Sequence, residues 1–231
     1  MLTHMPETNP PSTRIAWVVG GSGMLGRALI ETLLGAPEYE RIIAITRRPL
    51  GFDRPRLANR IARFERLESE LAGLTCNDLY CCLGTTARTA GSVAAFRAVD
   101  YDLVLRFVQL AKTTQLKRML VVTSAGADAK SKHFYLRVKG EVEAGLMALA
   151  LPSLDIFRPG LLLGPRAELR PLELAARVAM PLLNPLMVGG LRPYRGVDVA
   201  TLARAMLGAA RSGRRGAATY GYDAIMKLAG R

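Results

Sequence analysis

The glycine-rich stretch VVGGSGMLG at residues 18–26 constrains the fold more than any other segment of this 231-residue chain. It follows an apolar run and precedes residues with helical spacing, which is typical of a strand that turns directly into a helix. Glycines at such a turn let the backbone bend tightly and bring its N–H groups to a pyrophosphate at the helix N-terminus. The stretch therefore predicts a dinucleotide-binding turn, although glycine clusters also form ordinary turns.

The glycines fit two patterns. Gly21, Gly23 and Gly26 spell GxGxxG, whereas Gly20, Gly23 and Gly26 spell the looser GxxGxxG variant. The residues alone leave both patterns open.

Short apolar runs alternate with helical patterns along the chain. The runs are four or five residues long and bounded by polar or turn residues, which is typical of buried strands; they cover residues 15–19, 42–46, 79–83, 119–123 and 154–157. Three segments between these runs have the length and the apolar spacing of helices, at residues 25–34, 94–112 and 135–149. This alternation predicts an α/β fold, a Rossmann-type doubly wound parallel sheet with helices on both faces.

The length and apolar content suit a single domain. We expect a flexible tail at residues 1–13 and one NAD(P)-binding domain at residues 14–231, in which residues 161–196 form a small C-terminal, substrate-covering insertion. The apolar residues of that insertion suggest a pocket for an apolar carbonyl compound, and a helix packed on the domain or a homo-oligomer contact is the alternative.

Composition narrows the classes of function. The net charge of +13 raises the question of nucleic acid, but the basic residues are scattered, so we expect no specific nucleic-acid partner. Two histidines and three cysteines without CxxC spacing predict no metal site and no disulfide framework. Prolines and charges interrupt the most apolar stretch, residues 172–191, and the N-terminus lacks a secretory pattern. These features predict a cytoplasmic protein without a membrane span.

The end of the second predicted strand indicates which nicotinamide cofactor binds. An acidic residue in this region holds the ribose of NAD, whereas an arginine accommodates the 2′-phosphate of NADP. The segment AITRRPL places Arg47 and Arg48 here, with no carboxylate before Asp53. NADP(H) is therefore favoured over NAD(H), and the alternative is that both arginines only solvate the strand end.

Three residues further along could carry the chemistry. Tyr135 and Lys139 are four apart on a predicted helix and share one face, and Ser124 ends the preceding strand. A phenol transfers protons poorly near neutral pH unless a nearby ammonium favours its phenolate form. Lys139 would supply that charge, and Ser124 would hold the substrate oxygen while Tyr135 exchanges a proton. By spacing alone, such a Tyr–Lys pair is more often part of an exposed helix face than of a catalytic site.

In chain order, the segments VVGGSGMLGRAL, ITRRPL, DLYCCLGTTARTAG, AFRAVDYDLVLRFVQLAK, VVTSAGAD, YLRVKGEVE, FRPGLLLGPR and GVDVATLARAML resemble the short-chain dehydrogenase/reductase superfamily. The resemblance covers roughly residues 15–207 and is to the atypical branch, whose NAD(P)-binding members are similar to the Tat-interactive-protein oxidoreductases. It favours the GxxGxxG pattern. It implies that Ser124, Tyr135 and Lys139 are the catalytic residues.

The resemblance also implies a set of cofactor-binding residues. Besides Arg47, Arg48, Tyr135 and Lys139, these are Gly20, Ser22, Gly23, Met24, Leu25 and Gly26 of the turn, Cys82, Leu83, Gly84 and Thr85 beneath the cofactor, and Arg158, Pro159 and Gly160 beside the nicotinamide. One position departs from many relatives, because Asp100 stands where an Asn assists the proton relay. The relay is therefore in doubt while the three catalytic residues are intact.

Two functions follow as hypotheses. The first is an NADP(H)-dependent oxidoreductase that transfers hydride between nicotinamide and a carbonyl or alcohol substrate. The second is a non-catalytic NADPH-binding protein that regulates or senses redox state through interaction with a partner. The retained Tyr135 and Lys139 favour the enzyme, since a sensor has no need of a proton donor.

Overall fold

A seven-stranded parallel sheet organises the computed structural model, which describes residues 13–85, 87–164, 184 and 187–230. The strands of this sheet are β1 (Arg14–Val19), β2 (Tyr39–Thr46), β3 (Leu57–Ile61), β4 (Asp78–Cys81), β5 (Arg118–Val122), β6 (Ser153–Phe157) and β9 (Gly216–Tyr220). Their spatial order is β3-β2-β1-β4-β5-β6-β9. A separate two-stranded sheet pairs β7 (Leu162–Leu163) with β8 (Val197–Asp198). The predicted doubly wound parallel fold is confirmed.

Helices connect the strands. The α-helices of the described residues are α1 (Met24–Leu34), α2 (Leu67–Glu70), α3 (Ala87–Ala90), α4 (Val93–Arg97), α5 (Leu103–Lys112), α6 (Phe134–Ala148), α7 (Val199–Arg211) and α8 (Tyr222–Ala229). Short 3₁₀ turns cover Phe64–Arg66 and Gly189–Tyr194. A π-helical turn, Ala98–Asp102, joins α4 to α5. The helix predicted over 94–112 is therefore present, but its residues 98–102 are π-helical instead of α-helical.

Both faces of the sheet are covered because the interior strands are apolar on both sides. In β1, Ala16 and Val18 belong to a core layer that includes residues of α1, α7 and α8. The alternate residues Trp17 and Val19 belong to a second layer that includes residues of α5 and α6. This alternation follows from the period of two in a strand.

Two strands of the seven-stranded sheet were not predicted, and both lie at its edges; β7 and β8 of the small sheet were not predicted either. β3 carries Asn59 and the exposed Arg60, and β9 begins with small, exposed residues. An edge strand pairs on one side only, so its sequence lacks the continuous apolar run of a buried strand.

The parallel topology places all the predicted site segments at one edge of the sheet. The glycine turn follows β1, Arg47 follows β2, Cys82 follows β4, Ser124 follows β5 and Arg158 follows β6. Ligands bind at this carboxyl edge in open α/β sheets. Most of the predicted insertion at 161–196 lies outside the described residues. Residues 1–12 of the predicted tail also lie outside them.

Within the described ranges, no helix is long and apolar enough to cross a membrane. The three cysteines are free thiols, with Cys76 and Cys81 buried and Cys82 half-buried.

Candidate active site

The turn after β1 is packed too tightly for side chains at two of its glycines. Gly20 has a left-handed φ of +82°, and a Cβ there would lie 2.8 Å from the carbonyl oxygen of Cys82. A Cβ on Gly26 would lie 2.3 Å from the carbonyl oxygen of Gly20. At Gly21 the nearest atoms belong to side chains, at 3.1 and 3.2 Å. The backbone contacts at positions 20 and 26 fit the GxxGxxG pattern.

The same turn presents backbone donors at the start of α1. The N–H of Gly23 donates to the Gly20 carbonyl at 3.0 Å, and Gly23 caps the helix without a side chain. The N–H groups of Met24, Leu25 and Gly26 then begin the helix, where no intrahelical acceptor exists. Such donors, together with the helix dipole, favour an anion.

The other two predicted residues of the turn have distinct surroundings. Ser22 is exposed, whereas the Leu25 side chain is buried in the core, so only the Leu25 backbone can face a ligand. The Met24 side chain packs toward Gly164, where an added Cβ would lie 2.9 Å from its sulfur.

A cleft of about 430 Å³ opens between the glycine turn and the segment after β4. Gly20, Ser22 and Gly23 form one wall, and residues 82–85 form another. Arg47 closes the end beyond β2, with its guanidinium 5.6 Å from the centre of the Phe64 ring. Arg48 is exposed next to it and does not line the cleft.

The cysteines at this cleft are not reactive thiolates. Burial raises the pKa of the Cys81 thiol to about 11 and raises the pKa of Cys82 further above its ordinary value. Both thiols are therefore protonated near neutral pH and act as small apolar groups.

None of the three predicted catalytic residues is among the residues that line this cleft. Ser124 follows β5, and its hydroxyl donates to the carbonyl of Ala125 at 3.2 Å. Tyr135 lies in the first turn of α6, with its ring 5.5 Å from that of Phe96. Lys139 lies one turn further along α6 and is buried. In the described structure no hydrogen bond joins these three side chains to one another.

Lys139 instead pairs with Asp100 of the π-helical turn. Its Nζ lies 2.6 Å from Asp100 Oδ1, and both side chains are almost fully buried. The second carboxylate oxygen, Oδ2, accepts the backbone N–H of Thr85 at 3.0 Å. The residue that departs from the family pattern therefore connects Lys139 to the cleft wall.

The turn at residues 158–160 is connected through Glu143 to the residue before Ser124. The Arg158 guanidinium donates to both carboxylate oxygens of the buried Glu143, which raises the pKa of Arg158. Glu143 also accepts the hydroxyl of Thr123 at 2.5 Å. Because the Arg158 side chain is held by Glu143, its structural role is to fix the turn rather than to offer a free cation.

Backbone contacts continue this support. The N–H of Ala125 donates to the Pro159 carbonyl at 2.8 Å. A Cβ on Gly160 would lie 2.6 Å from the backbone of Tyr194 and Arg195. The residue after Ser124 is thus bonded to the turn at 158–160, and that turn packs against residues 194 and 195.

A loop with an exposed charged surface joins Ser124 to α6. Lys130, Lys132 and His133 are exposed. The loop backbone nevertheless packs directly on α6, because a Cβ on Gly140 would overlap the Ala129 nitrogen at 2.1 Å.

Sequence reasoning missed several residues of the cleft, namely Phe64, Thr89, Ala90, Ala95 and Val99. Phe64 follows the unpredicted strand β3, so nothing in the sequence connected it with the glycine turn. In the part of the chain that the structure describes, no three His, Cys, Asp or Glu side chains lie together as a metal site would require. The apolar residues proposed to contact substrate lie largely outside the described residues.

Comparison with known proteins identifies relatives. The HIM1 family model matches residues 59–184, more than half of the chain. Protein HTATIP2 of Rattus norvegicus is 38% identical over 210 residues, which are 89% of this chain and 85% of that protein. The protein fmp52, mitochondrial, of Emericella nidulans is 34% identical over 172 residues, 69% of this chain and 72% of the relative.

A solved structure shares the fold. The crystal structure of the Bordetella bronchiseptica enzyme WbmF in complex with NAD⁺ matches with a TM-score of 0.67 at 15% identity, over 95% of this chain and 77% of that chain. At that identity the likeness concerns the fold alone.

The prediction of a cytoplasmic location is wrong. Fungal relatives from Emericella nidulans and Saccharomyces cerevisiae are named mitochondrial proteins. The prediction rested on an N-terminal segment without a secretory pattern, and that observation has no power to distinguish the cytoplasm from an organelle.

Proposed function

The chain belongs to the HIM1 family, among the atypical short-chain dehydrogenases/reductases, and from this premise we propose that it is an NADP(H)-dependent oxidoreductase acting on a carbonyl or alcohol group. One observation carries the proposal. A Cβ added to Gly84, on the cleft wall, would lie 3.8 Å from Lys139 Nζ. The ammonium one helical turn from Tyr135 therefore lies directly beneath the cleft.

The cleft fits a nicotinamide dinucleotide. Gly20 and Gly26 leave room where any side chain would meet backbone, and the N–H groups that begin α1 are suited to a pyrophosphate. Arg47 lines the end of the cleft where the 2′-phosphate of NADP would lie. The bound cofactor supplies the hydride, and the protein supplies position and proton.

Tyr135 is the proposed proton donor in the direction of reduction. As the carbonyl carbon accepts hydride, the electron pair of the C=O π bond moves to oxygen, and the Tyr135 hydroxyl gives that oxygen its proton. The phenolate then recovers a proton from water. In oxidation the same steps run in reverse.

Ser124 and Lys139 prepare this transfer. The Ser124 hydroxyl makes a long hydrogen bond to Ala125 at 3.2 Å, so rotation about its side-chain bond frees it to donate to the substrate oxygen. The Lys139 ammonium stabilises the phenolate that remains after transfer. A carbonyl compound is thus held between two hydroxyl groups.

The experiment is a screen for NADPH oxidation by the purified full-length protein against aldehydes, ketones and quinones, followed by absorbance, with heat-denatured protein as control. We expect substrate-dependent oxidation with at least one class and an alcohol or quinol product in equal amount. NADPH binding without turnover of any class would favour the regulatory alternative. Absence of NADPH binding would contradict both functions.

A further inference from the structure

We propose that Asp100 is a positioning residue, one that holds Lys139 and the Thr85 backbone at a single point beneath the cofactor cleft. The inference rests on the proposed function, since it concerns how the same site is assembled. Asp100 was notable in the sequence only as a departure from the Asn of many relatives. The structure gives this departure a reason.

An ammonium and a backbone N–H face Asp100 from different elements, the first as an ion pair and the second as a hydrogen bond. Lys139 Nζ of α6 lies 2.6 Å from Oδ1, and the Thr85 N–H of the cleft wall lies 3.0 Å from Oδ2. A carboxylate accepts at both oxygens. An asparagine has one acceptor oxygen and would turn its NH₂ group toward the second donor. Asp100 therefore gives the buried Lys139 ammonium a negative partner, which an asparagine would not supply.

Burial makes the two side chains dependent on each other. The side chain of Asp100 is fully buried and that of Lys139 is 6% exposed. A buried charge without its partner is costly, so each of the two side chains restricts where the other can lie. Lys139 is consequently held in one place instead of moving freely on its four-carbon chain.

The backbone around Asp100 is also specialised. The N–H of Leu103 bonds to the carbonyl of Ala98, five residues earlier, which defines the π-helical turn. Such turns occur frequently at functional sites. Asp100 lies in the middle of this turn and is buried against Lys139 of α6.

The ion pair also lies close to Gly84 of the cleft wall. A Cβ on Gly84 would lie 3.7 Å from Asp100 Oδ1 and 3.8 Å from Lys139 Nζ. Gly84 and Thr85 both line the cleft. Asp100 thus couples the wall that would touch the cofactor to the lysine that would serve Tyr135.

The test is a double-mutant cycle on NADPH affinity with Asp100→Asn, Lys139→Met and both together. Asp102→Asn is the matched control, because it removes the same charge at an exposed position of the same turn. We expect Asp100→Asn to weaken NADPH binding about tenfold, and to weaken it less than about twofold further when Lys139 is already Met. Asp102→Asn should bind as the unmodified protein does.

A purely structural Asp100 would lower affinity by the same factor in both backgrounds, and that result would overturn the proposal. So would an Asp100→Asn protein that binds as tightly as Asp102→Asn. If Asp100→Asn alone does not fold, the test is to compare the NADPH affinity of Lys139→Met with that of the double variant. Neither buried charge remains in the double variant. A second cofactor loss on adding Asp100→Asn would then contradict the inference.

Turnover separates this inference from the proposed function. With a substrate from the screen, Asp100→Asn should lower kcat more than it raises KM for the carbonyl compound, because Lys139 serves Tyr135 in the transition state. If the unmodified protein binds NADPH but turns over nothing, the proposed catalysis fails and the affinity cycle alone decides on Asp100. If it does not bind NADPH, both fail.

Discussion

Arg47 and Arg48 are the residues on which the choice of cofactor depends. Arg47 lines the cleft and stacks over Phe64, whereas Arg48 is exposed beside it. Guanidinium groups bind phosphate through charge-assisted hydrogen bonds, which are stronger than neutral ones. We expect both to favour the 2′-phosphate of NADP, with Arg47 contributing more.

The unmodified protein should therefore bind NADPH at least several-fold more tightly than NADH, with affinities measured by titration at one salt concentration. Replacing both arginines by alanine should remove this preference. Arg41→Ala combined with Arg215→Ala removes two exposed charges that do not line the cleft and should preserve it. Equal affinities for NADPH and NADH in the unmodified protein would disprove the assignment.

At the residue scale, the sequence was informative where function depends on strand ends. Ser124 and Arg47 could be placed because each follows an apolar run. The contacts of Asp100 could not, since a π-helical turn has no signature in the spacing of apolar residues and its pairing with Lys139 joins two distant helices. Phe64 was missed because β3 was missed.

Among the helices and strands, the buried elements could be predicted from the sequence and the half-exposed ones could not. The five strands buried on both faces were predicted, whereas the edge strands β3 and β9 were not, because half-exposed strands lack a continuous apolar run. The first α-helix was predicted to within one residue. Its close contact with the end of β1, through Gly26 and Gly20, is what brings its N-terminus to the cleft.

Gly26→Ala should disrupt this contact. The added methyl would lie 2.3 Å from the Gly20 carbonyl oxygen and 2.7 Å from Gly21 Cα, and both are backbone atoms. We expect unfolding free energy to fall by about 1–3 kcal/mol and NADPH affinity to fall with it, as measured by denaturant unfolding and titration.

Gly35→Ala at the other end of α1 is the control. Gly35 has helical φ, and its nearest atom to an added Cβ is 3.4 Å away. That substitution should leave NADPH binding unchanged and raise stability by about 0.5 kcal/mol. A Gly26→Ala protein as stable and as tight-binding as Gly35→Ala would show that the close packing of the turn is unimportant.

For the whole molecule, the net charge of +13 is a property of the surface rather than of one binding face. Several arginines are already paired with carboxylates, as in Arg211–Glu38, Arg106–Glu68 and Arg97–Glu141. A dispersed charge attracts nucleic acid weakly and is screened by salt.

We expect duplex and single-stranded oligonucleotides to bind only at low salt, without sequence preference, when followed by fluorescence anisotropy over a range of salt concentrations. The NADPH-bound protein should behave in the same way. A sequence-selective complex that persists near physiological salt would instead support a regulatory protein.

The most direct test of the proposed reaction is the turnover of Tyr135→Phe on a substrate found by the screen. The variant keeps the ring that packs against Phe96 and loses only the proton donor. NADPH affinity should change little, and kcat should fall by about 10²- to 10⁴-fold. Tyr101→Phe, which removes a hydroxyl from the π-helical turn outside the cleft, should retain full activity. A folded Tyr135→Phe protein with unchanged kcat would contradict the account and leave Ser124, Tyr135 and Lys139 with roles in structure or cofactor binding alone.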